Sequence, residues 1–178
     1  LAAMLGDGIR PFIRQPIHEL ERIERPFLVK TLDEDGRETV RYGFKCLRPY
    51  QQAAFEKLTE HSHIGVYYPA STGKTIIALY AMSHLKPPHI VTVPTRLLVD
   101  QWSTRLQEHT DLRVGEEVIV TTYHSAIKHQ INKDWGLLVI DEVHHLPAND
   151  FSKMALFKRK WTLGLSATPY REDVREEY

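Results

Sequence analysis

The chain has 178 residues, a normal length for one domain with a sizeable core, and 42% apolar with 26% charged residues gives a globular profile. Basic and acidic residues balance at 23 each, which argues against a stand-alone nucleic-acid binder, whose affinity rests on a basic excess. A single cysteine, Cys46, excludes an intrachain disulfide framework and points to a reducing, intracellular compartment.

No apolar run approaches the ~20 residues that would suggest a membrane partner. The chain opens at Leu1 with neither an initiator Met nor a signal-peptide pattern, so it reads as a piece of a longer protein. Residues 1–46 are expected to form an extension, and residues 47–178 a separate α/β domain. Up to Pro26 three prolines and scattered charges give no period. Two β-prone runs, 27–32 and 38–42, then flank Asp33-Glu34-Asp35-Gly36 and predict a hairpin around an Asp-Gly turn.

From Leu47 the pattern changes. Tyr50, Ala53, Phe55 and Leu58 fall near helical spacing and predict a helix over 48–60. Short apolar runs follow at 64–68, 90–93, 118–121, 137–140 and 161–165, with candidate helices between them at 74–85, 96–108, 123–129 and 150–158. Near-continuous apolar strands alternating with helices predict a parallel sheet covered on both faces. In such sheets ligands bind at the carboxyl ends of the strands, and the polar signatures fall there.

The first signature is Tyr68-Pro69-Ala70-Ser71-Thr72-Gly73-Lys74-Thr75, between a strand and a helix. Such a loop aims backbone N–H groups at a phosphate, and the helix N-terminus adds its positive end. Ala70, Ser71, Thr72 and Gly73 would supply the cradle, Lys74 would reach the outer phosphates of a nucleotide, and the Thr75 hydroxyl would sit on Mg²⁺. Only Gly73-Lys74-Thr75 is strict, because Tyr68 stands where the motif has glycine.

The second signature is Leu137-Leu138-Val139-Ile140-Asp141-Glu142-Val143-His144-His145. Asp141 emerges from an all-apolar strand, where its carboxylate can hold Mg²⁺, and Glu142 is placed to polarise an attacking water. Adjacent carboxylates at a sheet end are costly unless a cation or a proton offsets them. His144, His145, His61 and His63 lack the partner spacing of a structural zinc site, and metal coordination by them is not expected.

Together, 141–144 and 70–75 resemble the DExH-box helicases of superfamily two, and the other motifs of that family's first, RecA-like lobe follow in order over 47–173. Leu47-Arg48-Pro49-Tyr50-Gln51 is similar to the adenine-recognition element, with Gln51 the implied base contact. Val93-Pro94-Thr95-Arg96 and the helix after it resemble motif Ia, and Val120-Thr121-Thr122-Tyr123 the next strand-contacting motif. Ser166-Ala167-Thr168 resembles motif III, which with His144 implies coupling of hydrolysis to strand movement. Within the family, 141–147 and Arg171-Glu172-Asp173 resemble the xeroderma pigmentosum group B branch, whose Arg-Glu-Asp element is linked to unwinding. The same tripeptide occurs in restriction-enzyme motor subunits. Ser71 departs from the family's usual glycine.

The resemblance implies ATP and Mg²⁺ as ligands, DNA as partner, and a second RecA-like lobe that supplies an arginine finger. The sequence ends soon after motif III, so the chain alone is expected to bind nucleotide and to hydrolyse it very slowly. Thr95, Arg96, Thr121, Thr122 and Tyr123 suit donation to backbone phosphates, while Arg96 could equally pair with Asp100 on the helix surface. Trp102 reads as a core anchor. Lys153, Lys158, Arg159 and Lys160 read as a solvated helix end. An RNA helicase and a catalytically silent scaffold are the alternatives. Lys74, Thr75, Asp141 and Glu142 together count against the scaffold, and 166–168 with Gln51 count against an unrelated P-loop kinase.

Overall fold

A computed structural model describes residues 9–11, 28–32, 38–42, 47–68 and 73–167, with side chains in the last two stretches. Among them, eight strands form: β1 (Ile9–Pro11), β2 (Leu28–Leu32), β3 (Glu38–Tyr42), β4 (His63–Tyr67), β5 (His89–Val93), β6 (Val118–Thr122), β7 (Asp134–Ile140) and β8 (Lys158–Ser166). The helices are α1 (Pro49–His61), α2 (Lys74–His84), α3 (Arg96–His109), α4 (Tyr123–His129) and α5 (Ala148–Met154). None of these helices is long and apolar enough to cross a membrane.

Six strands make one sheet in the order β1-β4-β8-β7-β5-β6. The last five are mutually parallel, as their apolar runs predict, and β1 adds antiparallel to β4 with Ile9 opposite Val66. No periodicity announces β1, which is three residues long and ends in Pro11, a residue tolerated on a sheet edge because it lacks an N–H to donate. The expected hairpin strands pair as β2 and β3, from Leu28 opposite Tyr42 to Leu32 opposite Glu38. Its turn, 33–36, lies outside the described residues. β2 runs close to α3.

Alternation along each strand sends side chains to two cores. Val91, Val93, Leu137, Val139, Leu163 and Leu165 pack with α1, α2 and α3, whereas Ile90, Leu138 and Ile140 pack with α4 and α5. Burying each such side chain stabilises by about 1.5–3 kcal/mol. A polar clamp joins the layers. The buried His89 ring accepts from the Leu137 N–H through Nδ1 at 3.0 Å, and its Nε2–H lies 3.0 and 3.1 Å from the carbonyls of Met82 and Leu85 at the end of α2. Gly136 permits this approach, since a Cβ there would strike the Lys86 carbonyl and the His89 ring.

The last helix differs from expectation. It spans Ala148–Met154 rather than 150–158, and Lys158, Arg159 and Lys160 begin β8 instead of ending the helix. Arg159 still serves the helix end, but from the strand: Nη1 donates to the Ala155 and Phe157 carbonyls at 2.8 Å, and Nε donates to Thr162 Oγ1 at 2.9 Å. Burial lowers the pKa of its guanidinium.

The chain passes from β4 through α2 to β5, skipping the places that β7 and β8 later fill. The ends of β4, β8 and β7 therefore meet beside the start of α2, at the crevice where open parallel sheets take their ligands.

Candidate functional site

Gly73, Lys74 and Thr75 open α2 and line a cleft of about 260 Å³, whose other walls are Asp141 and Glu142 and the α3 residues Leu98, Gln101, Trp102 and Arg105. Ala70, Ser71 and Thr72 lie outside the described residues. Gly73 adopts φ 86°, in the left-handed region, and a Cβ there would stand 2.7 Å from Gln51 Nε2. The conformation favours glycine, and a side chain would also have to displace the Gln51 amide. Lys74 Nζ donates to the Tyr68 carbonyl at 2.5 Å. Burial lowers its pKa, against the pull of Asp141 and Glu142. Gln51 is buried rather than presented to the cleft. Its Oε1 accepts from the Arg48 N–H and its Nε2 donates to the Gly73 carbonyl, each at 2.9 Å, so it ties α1 to the start of α2.

The opposite wall is a strained turn. Glu142 sits at φ 52°, a left-handed conformation that costs a non-glycine residue about 1–2 kcal/mol. Several bonds hold it there. Asp141 Oδ1 accepts from the Glu142 N–H at 2.9 Å, and Oδ2 accepts from the Trp102 indole N–H at 2.8 Å. The Tyr123 hydroxyl reaches the carbonyls of both Asp141 and Glu142, the latter at 2.9 Å. Burial raises the pKa of Asp141, with Glu142 adding to the shift, while the Trp102 and Glu142 N–H groups and Lys74 pull it back. Burial likewise pushes the Tyr123 phenol above its ordinary value, so the hydroxyl keeps its proton for donation.

The Glu142 carboxylate faces the cleft half exposed, 3.3 Å from His145 Nε2 and 3.7 Å from His144 Nε2. The other ring nitrogen of His144 lies 2.8 Å from Ser166 Oγ at the end of β8. Glu142, His144 and His145 thus bring ligand-type atoms within 4.8 Å of one another, a proximity the spacing did not suggest. Mg²⁺ prefers oxygen donors, and side-chain oxygens of Thr75, Asp141 and Glu142 belong to residues lining this cleft; the N–H bonds that the Asp141 carboxylate accepts leave it further lone pairs.

A second cleft, about 350 Å³, lies between the starts of α3 and α4 and is lined by Arg96, Val99, Asp100, Val120, Thr121, Thr122 and Ser125. Thr95 and Thr122 cap the two helices, each accepting from the N–H three residues on at 3.4 Å, which leaves each hydroxyl proton available for a ligand. Arg96 and Asp100 line the same cleft. Of the expected strand-contacting residues, Tyr123 alone turns inward. Trp102 is buried as an anchor, and its bond to Asp141 adds a contact the sequence did not suggest. Ala167 is exposed beyond Ser166, while Thr168, Arg171, Glu172 and Asp173 lie outside the described residues. Leu98, Gln101 and Arg105 were missed as cleft residues, although their i, i+3 and i+4 spacing with Trp102 marks one helix face.

Residues 44–171 match the family described as "Type III restriction enzyme, res subunit". The chain belongs to that family. Its curated relatives include the "Putative DNA 3'-5' helicase Rad25" of Halobacterium salinarum, 36% identical over 73% of this chain and 24% of the relative. The "DNA 3'-5' translocase XPB2" of Sulfurisphaera tokodaii is 35% identical over 74% of this chain and 33% of the relative. The chain therefore spans a quarter to a third of the length of these relatives. Among solved structures, the Sulfolobus solfataricus SWI2/SNF2 ATPase core in complex with dsDNA overlays with a TM-score of 0.61 at 22% identity, covering 70% of this chain and 32% of that one. The UvsW helicase from Bacteriophage T4 gives 0.60 at 17% identity, covering 76% and 58%. These overlays establish the RecA-like α/β fold for this restriction-enzyme-family chain, and the relatives' names agree with the helicase resemblance read from its motifs.

Proposed function

We propose that this chain is the first, ATP-binding motor lobe of an intracellular DNA helicase or translocase that couples ATP hydrolysis to movement on DNA. The observation that carries the reading is one cleft in which Lys74 and Thr75, at a helix N-terminus, face Asp141 and Glu142 at the end of a buried strand. Gly73, Lys74 and the N-terminus of α2 would hold the phosphates, with 70–72 completing the cradle. Thr75 and Asp141 would hold Mg²⁺, which neutralises charge on the outer phosphates. Glu142 would orient a water and take its proton as that oxygen bonds to the γ-phosphorus and the bond to the β-phosphate oxygen breaks.

Thr95, Arg96, Thr121 and Thr122 would meet the DNA backbone at the second cleft, which reads no sequence. His144 and Ser166, in contact across the ends of β7 and β8, would pass the state of the phosphates to Thr168 and to 171–173. A second lobe would supply the remaining cation and half of the strand-binding surface. Titration calorimetry of ATP in Mg²⁺ tests the nucleotide half. Binding is expected for the chain as it stands and is expected to vanish in Lys74→Ala, whereas equal binding by both would remove the phosphate assignment. Stimulation of the full-length protein's ATPase by RNA rather than duplex DNA would overturn the choice of strand.

A further inference from the structure

The two clefts share a wall. α3 turns Leu98, Gln101, Trp102 and Arg105 to the nucleotide cleft and Arg96, Val99 and Asp100 to the second cleft. From the interior of this wall, the Trp102 indole N–H donates to Asp141 Oδ2 at 2.8 Å, and the ring is 3% exposed. The neighbouring junction of β6 and α4 repeats the arrangement. Thr121 and Thr122 line the second cleft, and Tyr123, 6% exposed, aims its hydroxyl at the carbonyls of Asp141 and Glu142. Each element bordering the second cleft therefore sends one buried aromatic donor to the same acidic turn. A phenylalanine would fill most of either volume, so the indole N–H and the phenol O–H are the informative features. The turn they reach contains Glu142 at φ 52°, a conformation that surrounding bonds rather than intrinsic preference maintain.

Resting on the motor-lobe reading, we propose that Trp102 and Tyr123 are positioning residues that carry occupancy of the second cleft to the acidic turn. A strand drawn onto Arg96, Thr121 and Thr122 moves the starts of α3 and α4 against the sheet. Trp102 transmits that shift to the carboxylate of Asp141, and Tyr123 transmits it to the peptide that sets the direction of the Glu142 side chain. The two donors come from different elements that both border the second cleft, so occupancy there can bias the position of the turn, which is the physical content of coupling between sites.

The test is the ratio of duplex-DNA-stimulated to basal ATP turnover by the full-length protein, measured for Trp102→Phe and Tyr123→Phe at saturating ATP and DNA. Each is expected to lower the ratio about tenfold, as loss of one hydrogen bond to a charged or strained group would. Tyr123→Phe removes one oxygen atom and adds no volume, so it keeps the test open should Trp102→Phe fail to fold. A folded variant that loses basal and stimulated turnover in equal proportion would overturn the proposal and leave the aromatic a packing role. No ATP turnover in the unsubstituted protein would instead overturn the motor-lobe reading, and this proposal with it.

Discussion

At Gly73 two independent constraints fall on one atom that is not there. A side chain would be strained by the positive φ and would collide with the Gln51 amide, so Gly73→Ala should destabilise by about 1–2 kcal/mol and lower the melting temperature by about 2–8 °C. Pairing it with Gln51→Ala should return only the part due to the collision, which a double-mutant cycle read by thermal melts would separate. Asp141 gives a pH signature. Its folded pKa lies above the ordinary 3.8, so between those values the unfolded chain binds fewer protons and stability falls as pH rises. Asp141→Asn cannot ionise, and its melting temperature relative to the parent should improve as pH rises above about 4. A constant difference would show that Asp141 does not titrate abnormally. The meeting of Lys74, Asp141 and Glu142 in one cleft is legible because residue type and local context announce it. The bonds of Gln51, Tyr123 and Trp102 are not, since their partners lie 22, 18 and 39 residues away and no local pattern encodes them.

Elements were read best where an apolar run was long enough to be buried on both faces. The five parallel strands and α1 to α4 follow their patterns closely, but β7 and β8 each begin three residues early; in β8, Arg159 finds carbonyl and hydroxyl partners that let a charged segment join a sheet. Composition alone made that segment look like a helix end. His89 does similar work between α2 and β7, and it stands between Pro88 and the apolar run 90–93, where no local pattern marks its role. His89→Phe would leave the buried Leu137 N–H without its acceptor, and should cost about 2 kcal/mol or more, a fall of about 4–8 °C in melting temperature. An unchanged melt would mean that the strand keeps its place without the clamp. On α3, Arg96→Ala should weaken DNA binding by the full-length protein evenly across sequences and reduce the salt slope by about one. Unequal losses across sequences would indicate base reading instead.

Across the whole molecule, the order of strands in the sheet could not be read from the chain, because β7 and β8 enter between strands already laid down. That order is nevertheless what brings Lys74 across from Asp141, so motif spacing stood in for a topology it did not reveal. If the cleft works as a motor, Glu142→Gln in the full-length protein should retain Mg²⁺-dependent ATP binding while turnover falls at least a hundredfold, as loss of a general base implies. Turnover that survived would move the base to another residue. The three residues of β1 have a quieter importance. They cover the N–H and C=O groups of β4 that would otherwise form one margin of the sheet, and bare margins of this kind recruit strands from other molecules. A chain trimmed to begin after Pro11 should keep its cleft yet self-associate as concentration rises, visible by light scattering, so the least conspicuous strand acts as a guard against aggregation.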